Sequence, residues 1–190
     1  MLDEMDILQE MIRDTARISI QEHNGRRQVT LGEPRDSEGR KVKISGLPND
    51  AIVINVDKFP APDAVFTCRK GECKRADFIV IADTGKKRVI LCIEMKAVKG
   101  KESEIVQQLK GTRSLVGYCR EVGQIFWKSR GFLDGYQYRF IKIAPNNTHK
   151  KTTWEPPKTG THDKPENMLK IRCARNYRLE FNQLAGKSGF

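Results

Sequence analysis

The chain has 190 residues, 38% hydrophobic and 31% charged, which gives enough length and apolar material for one domain with its own core. Its longest apolar runs, Phe78–Ala82 and Val89–Ile93, fall far short of the roughly 18 residues of a membrane span, and the acidic Met1–Gln9 does not read as a signal peptide. The net charge of +11 is uneven, −3 over residues 1–68, +6 over 69–113 and +8 over 114–190, so a basic excess suited to a polyanion such as nucleic acid fills the last two thirds.

Met5, Leu8, Ile12 and Ala16 recur at helical spacing without Gly or Pro between them, which predicts a helix over Leu2–Arg17. Strand-like stretches follow at Ile18–Gln21, Gln28–Gly32 and Lys41–Ser45, separated by turn residues at Asn24-Gly25 and Asp36–Gly39. The β-branched run Ala51–Val56 is ended by Pro60 and Pro62, and Val65–Cys68 reads as a further short strand before the polar Arg69–Arg75. Asp77–Ala82 and Val89–Val98 form the clearest element, a hairpin around Asp83-Thr84-Gly85-Lys86. Ser103–Cys119 places Ile105, Leu109, Thr112 and Val116 on one face, as an amphipathic helix requires.

Tyr136–Ala144 is another strand, closed by Pro145-Asn146-Asn147, and the proline-bearing Thr148–Pro165 is expected as a long surface loop. Pro165–Leu184 fits either one helix or a helix and a strand. Five cysteines, odd in number and without Cys-x-x-Cys spacing, suit reduced thiols in a cytoplasmic protein better than a disulfide framework. They also lack the paired spacing of a zinc site. The expectation is one α/β domain over residues 1–190, with a core to about 145 and a loop and extension over 146–190.

Asp77, Glu94 and Lys96 carry the chemistry. If the hairpin closes symmetrically about Gly85-Lys86, Ala82 opposes Val89 and Asp77 falls opposite Glu94 on the same face. Lys96, two residues further along the strand, joins them there. Facing carboxylates repel, and a bridging cation relieves that repulsion. Oxygen ligands of this kind suit Mg²⁺ or Mn²⁺, which bind through one or two carboxylates plus substrate phosphate. A metal there acidifies water and stabilises phosphoryl charge, while the lysine positions the attacking water.

Asp77, followed by Glu94-Met95-Lys96 at the end of an apolar strand and then a helix, resembles the PD-(D/E)XK nuclease superfamily. The resemblance covers roughly residues 1–145. It implies a restriction-endonuclease-like core of helix, three antiparallel strands, helix and strand, in a mixed sheet flanked by helices. Here that core would carry extra N-terminal strands and a C-terminal extension. Two departures from the pattern stand out: Ala76 replaces the proline before Asp77, and Pro62-Asp63 spells the dipeptide ahead of a different strand. A second Glu-x-Lys, Glu72-Cys73-Lys74, lies in a polar stretch.

The resemblance implies DNA phosphodiester hydrolysis with Mg²⁺ or Mn²⁺, Asp77 and Glu94 holding metal and Lys96 the water. It also implies a carboxylate from the first helix and a polar residue from the helix after the motif. On a helical wheel Glu4 borders the apolar face, whereas Glu10 and Asp14 point away. Gln108 borders the apolar face of its own helix and Gln107 points opposite. Lys110, Arg113, Lys150, Lys151 and Trp154 are the expected nucleic-acid contacts. A homodimer is expected if both strands of a duplex are cut. The rival expectation is a non-catalytic nucleic-acid-binding or scaffold protein on an inactive fold of this kind.

Overall fold

The computed structural model describes residues 2–32, 41–95, 101–146, 153–154, 161–174 and 178–186. Helix α1 (Glu4–Met11) is started by a capping box: Asp3 accepts from the Asp6 amide, and the Asp6 carboxylate accepts from that of Asp3. It is shorter than the spacing predicts. Ile12 turns extended, and after a 3-10 turn (Asp14–Ala16) Arg17 bridges Ile54 and the Ile18 amide donates to Val53. Met5, Leu8, Ile12 and Ala16 are nonetheless all buried. The spacing identified the inward residues, and pairing with a sheet edge ended the helix.

Strands β1 (Gln21–His23) and β2 (Arg26–Leu31) meet at Asn24 and Gly25, both at positive φ as the tight hairpin turn demands. Then come β3 (Val42–Ser45) and β4 (Asp50–Asn55), followed by 3-10 turns at Val56–Lys58 and Pro62–Ala64. The hairpin is β5 (Phe78–Asp83) and β6 (Arg88–Met95). Helix α2 (Glu102–Phe126) leads to β7 (Gln137–Asn146). β8 (Thr153–Trp154), β9 (Leu169–Ala174), β10 (Arg178–Glu180) and α3 (Phe181–Ala185) complete the chain.

Six strands form a mixed sheet in the order β4-β5-β6-β7-β9-β8, and β1-β2-β3-β10 form a second. β4, β5 and β6 are successively antiparallel, and β7 lies parallel to β6 after the α2 crossover. Two apolar layers hold the sheets. On one face of the larger sheet, Ile54, Ile79, Ile90, Cys92 and Phe140 pack against Leu8 of α1 and Ile105 and Leu109 of α2. On the other, Val80, Leu91, Ile93 and Ile141 meet Val29 and Ile44 of the smaller sheet and Phe181 and Leu184 of α3. Each such side chain contributes about 1.5–3 kcal/mol when fully buried. The chain is thus an α/β protein with two mixed sheets. Among the described residues, no helix is long and apolar enough to cross a membrane.

Three expectations need correction. Val65–Cys68 is a turn rather than a strand, and Cys68 is disulfide-bonded to Cys73, so those two cysteines are not free thiols. Helix α2 runs on to Phe126 instead of ending at Cys119, and Gly123 within this added stretch admits the Phe132 ring, which a Cβ there would meet at 2.2 Å. Residues 169–174 and 178–180 are no appendage: β9 lies between β7 and β8, and β10 pairs parallel with β3. The turn expected at Asp36–Gly39 lies outside the described residues.

Candidate functional site

The hairpin closes in the expected register. Ala82 faces Val89 and Phe78 faces Ile93, so Asp77, one step before β5, comes beside Glu94 near the end of β6. Asp77 is fixed from several sides. Its carbonyl accepts from the Val56 amide at 2.8 Å, and its carboxylate Oδ2 accepts from the Met95 amide at 2.6 Å. The preceding Ala76 amide donates to Thr112 Oγ1 of α2 at 2.7 Å. Gly111, one residue earlier in α2, lets the Lys74 carbonyl approach so closely that a Cβ would lie 1.7 Å from its oxygen.

Glu94 is only 2% exposed, a charged group on a strand otherwise built of Val, Ile and Leu. Burying a carboxylate costs several kcal/mol unless cations and hydrogen bonds compensate. Register places Lys142 of β7 beside Glu94, and Lys170 of β9 beside Lys142. Lys170 is itself paired with Glu102 at the start of α2, at 2.7 Å. Asp77, at the entry to β5, and Glu94, Lys142 and Lys170 on β6, β7 and β9 therefore form a charged row across the sheet. Lys142 was not among the expected site residues. Its signal was present, a lone lysine inside the apolar alternation Phe140–Ala144, but on that evidence alone the strand reads as core.

Lys96 lies outside the described residues, as do Lys150 and Lys151. The backbone of Trp154 pairs with Ile171 at the sheet edge. Gln108 is half-buried on α2, one turn before Thr112, and its Oε1 is buried without a hydrogen-bond partner among the described residues. Because α2 runs back over the sheet after β6, its first turns lie nearest the end of β6 that carries Glu94. Gln107, expected to face away, instead accepts a hydrogen bond from Lys74 Nζ at 2.9 Å beneath the loop that precedes Asp77.

The structure does not bring Glu4 to this pair. Its carboxylate accepts from the Leu133 amide at 2.8 Å and lies 3.7 Å from the Arg88 guanidinium, next to Tyr136, whose hydroxyl is pushed up chiefly by burial. Arg88 also binds Asp83 at 2.9 Å. All of these sit at the turn end of the hairpin, about 20 Å from Glu94 at the usual rise per strand residue. The wheel gave the correct side of α1, but a wheel carries no information about position along the sheet.

Asp63 lies in an exposed 3-10 turn and Glu72 in the disulfide loop, so neither competes with Asp77 or Glu94. Lys110 is ion-paired with Glu166 at 2.6 Å, and the Arg113 guanidinium lies over the Tyr138 ring at 5.4 Å. Both expected DNA contacts thus have protein partners. Among the described residues no group of three or more His, Cys, Asp or Glu side chains is gathered. Two carboxylates are the acidic set here, which fits a divalent cation completed by water and phosphate better than an all-protein cage. Comparison with protein-family models, curated proteins and solved structures returns no match.

Proposed function

We propose that this protein is a metal-dependent nuclease of the PD-(D/E)XK kind, hydrolysing DNA phosphodiesters. One observation carries the reading: Asp77 and the buried Glu94 occupy adjoining register positions at one end of an apolar hairpin, with Lys142 on the next strand. The order α1, antiparallel β4–β5–β6, α2 and parallel β7 supports a restriction-endonuclease-like core, since that superfamily runs helix, three strands, helix, strand.

In this reading Asp77 and Glu94 hold Mg²⁺ or Mn²⁺, which when bound acidifies a water and offsets phosphoryl charge. Lys96 orients the water. Lys142 adds a fixed positive charge beside Glu94, and Gln108 offers its amide from α2. A homodimer would present two such sites to a duplex. The cytoplasmic setting belongs to the same proposal, and there the Cys68–Cys73 bond would face a reducing thiol pool.

The second reading is a non-catalytic nucleic-acid-binding or scaffold protein on an inactive fold of this kind, using only the basic excess of the last two thirds of the chain. Cleavage separates the two readings. Wild-type protein should cut DNA with Mg²⁺ or Mn²⁺ and stop when a chelator is added. Glu94→Gln keeps the volume while removing the charge, so cleavage should fall by orders of magnitude with metal-free DNA binding retained. Asp77→Asn should match it without adding to it, since both act on one metal. Unchanged cleavage in Glu94→Gln, or chelator-resistant cleavage by the wild type, overturns the reading.

A further inference from the structure

We infer that the segment 65–76, cross-linked internally by Cys68–Cys73, is the nucleic-acid grip of this protein, with Arg69 and Lys70 on phosphates and Phe66 stacked on an unpaired base. The inference rests on the nuclease reading of Asp77 and Glu94, and it assigns the binding role to a segment other than α2.

The segment is rigid by construction. Cys68 and Cys73 are bonded, the Lys70 amide donates to Glu72 Oε2 at 2.8 Å, and the Lys74 amide donates to Gly71 at 3.0 Å. Gly71, at φ 86°, sits against Gln107 so closely that a Cβ would fall 2.7 Å from the amide carbon. Lys74 holds Gln107, Arg75 donates to the Pro60 carbonyl, and Ala76 is tied to Thr112. This loop is docked on the first half of α2 and runs directly into Asp77.

Its outward chemistry is that of a strand binder. Four cations, Arg69, Lys70, Lys74 and Arg75, outnumber its single carboxylate, Glu72, which is folded back on the loop's own Lys70 amide and Thr67 hydroxyl. Lys74 and Arg75 are engaged by Gln107 and Pro60, which leaves Arg69 and Lys70 for a ligand. Arg69 and Lys70 are exposed. Beside them Phe66 is 53% and Val65 80% exposed. An exposed ring next to arginine and lysine stacks a base while the cations hold the backbone, and this combination is tolerant of sequence. Apolar side chains of this size also wedge between bases where a duplex is already weakened. A rigid carrier means that little ordering entropy is lost on binding. Positive charge selects nucleic acid over an acidic-poor protein surface, and the route into Asp77 would deliver the bound strand to the carboxylate pair.

The test measures anisotropy of labelled single-stranded, mismatched and fully paired DNA with the full chain in chelator, then cleavage of the same oligonucleotides with Mn²⁺. Arg69→Ala with Lys70→Ala should weaken binding about tenfold or more and reduce the salt slope by about 2. Phe66→Ala should weaken single-stranded and mismatched DNA about tenfold and paired DNA much less. Lys43→Ala, an exposed lysine on β3, is the control and should change neither. If the wild type cleaves in a Glu94-dependent way while the loop variants keep full affinity and slope, the loop assignment is overturned and the nuclease reading stands. Loop-dependent binding without any metal-dependent cleavage has the opposite meaning. No nucleic-acid binding by the wild type, even if the loop captures a protein or an anionic vesicle, overturns the grip outright.

Discussion

Lys142 and Lys110 show how a lysine's neighbours decide what it can do. Lys142 lies in register with Glu94, so its charge acts at short range on a buried carboxylate and on any phosphate bound there. Lys142→Ala is expected to lower cleavage about tenfold or more in a single-turnover assay, whereas a lysine on the outer sheet should leave it unchanged. Lys110 is different, because Glu166 already neutralises it. The hydrogen bond from Lys110 holds the Glu166 carboxyl below its ordinary value. A depressed carboxyl stabilises the fold above its unfolded value and loses that contribution as pH falls through the folded one. Both partners are exposed, so the effect is under about 1 kcal/mol. The functional consequence is larger: Glu166→Gln should release Lys110 and tighten DNA binding at low salt, and anisotropy titration checks it.

The thiols make a separate prediction. Burial pushes Cys119 up to about 11 and Cys92 higher still, so neither is a thiolate at neutral pH. Peptide mapping after alkylation of the native protein should find both unmodified, and denaturant should expose them together.

At the scale of elements, α2 does more than cover the sheet. Thr112 and Gly111 hold the segment that ends in Asp77, which joins helix positions to the placement of that carboxylate. Gly111→Ala forces the Lys74 carbonyl away, and it should cost about 1–3 kcal/mol in urea unfolding. Cleavage should suffer more than stability, because the displaced loop carries Asp77 with it. Breaking the loop's cross-link acts through the unfolded state instead. A ring this small removes about 2 kcal/mol of chain entropy from the unfolded state, so Cys68→Ser with Cys73→Ser should lower the melting temperature by several degrees.

The same elements explain what could be read beforehand. The hairpin register was legible because a Gly-containing turn and two apolar strands leave one symmetric closure, and Asp77 and Glu94 follow from that alone. α2 was legible from its stripe. The disulfide was not, since two cysteines in a polar stretch have no partner rule in one dimension. Gln107 was misread because the surface it covers is another part of the chain. Glu4 was placed on the correct face and the wrong end. In each miss the missing quantity was long-range position, which neither period nor propensity encodes.

For the molecule as a whole, the residues after β7 are part of the core. Leu169, Ile171, Leu179, Phe181 and Leu184 are all buried between the sheets. Truncation after residue 146 is therefore expected to abolish cooperative unfolding rather than trim a tail, as circular dichroism and denaturant titration would reveal. The uneven charge also gives a global expectation, that DNA affinity falls steeply as salt rises. Retained affinity at high salt would argue for a mainly apolar grip.

The parallel pairing of β10 with β3 joins Leu179 to Ile44. During synthesis, β3 leaves the ribosome long before its neighbour exists. Until residue 180 follows, the small sheet shows an unpaired edge and its share of the inner apolar face to whatever passes. Partnerships this distant in sequence slow the search for the native arrangement. The nascent chain thus carries that open edge for the whole interval between the synthesis of β3 and of β10, and a holding chaperone present over that interval should raise the yield of this protein.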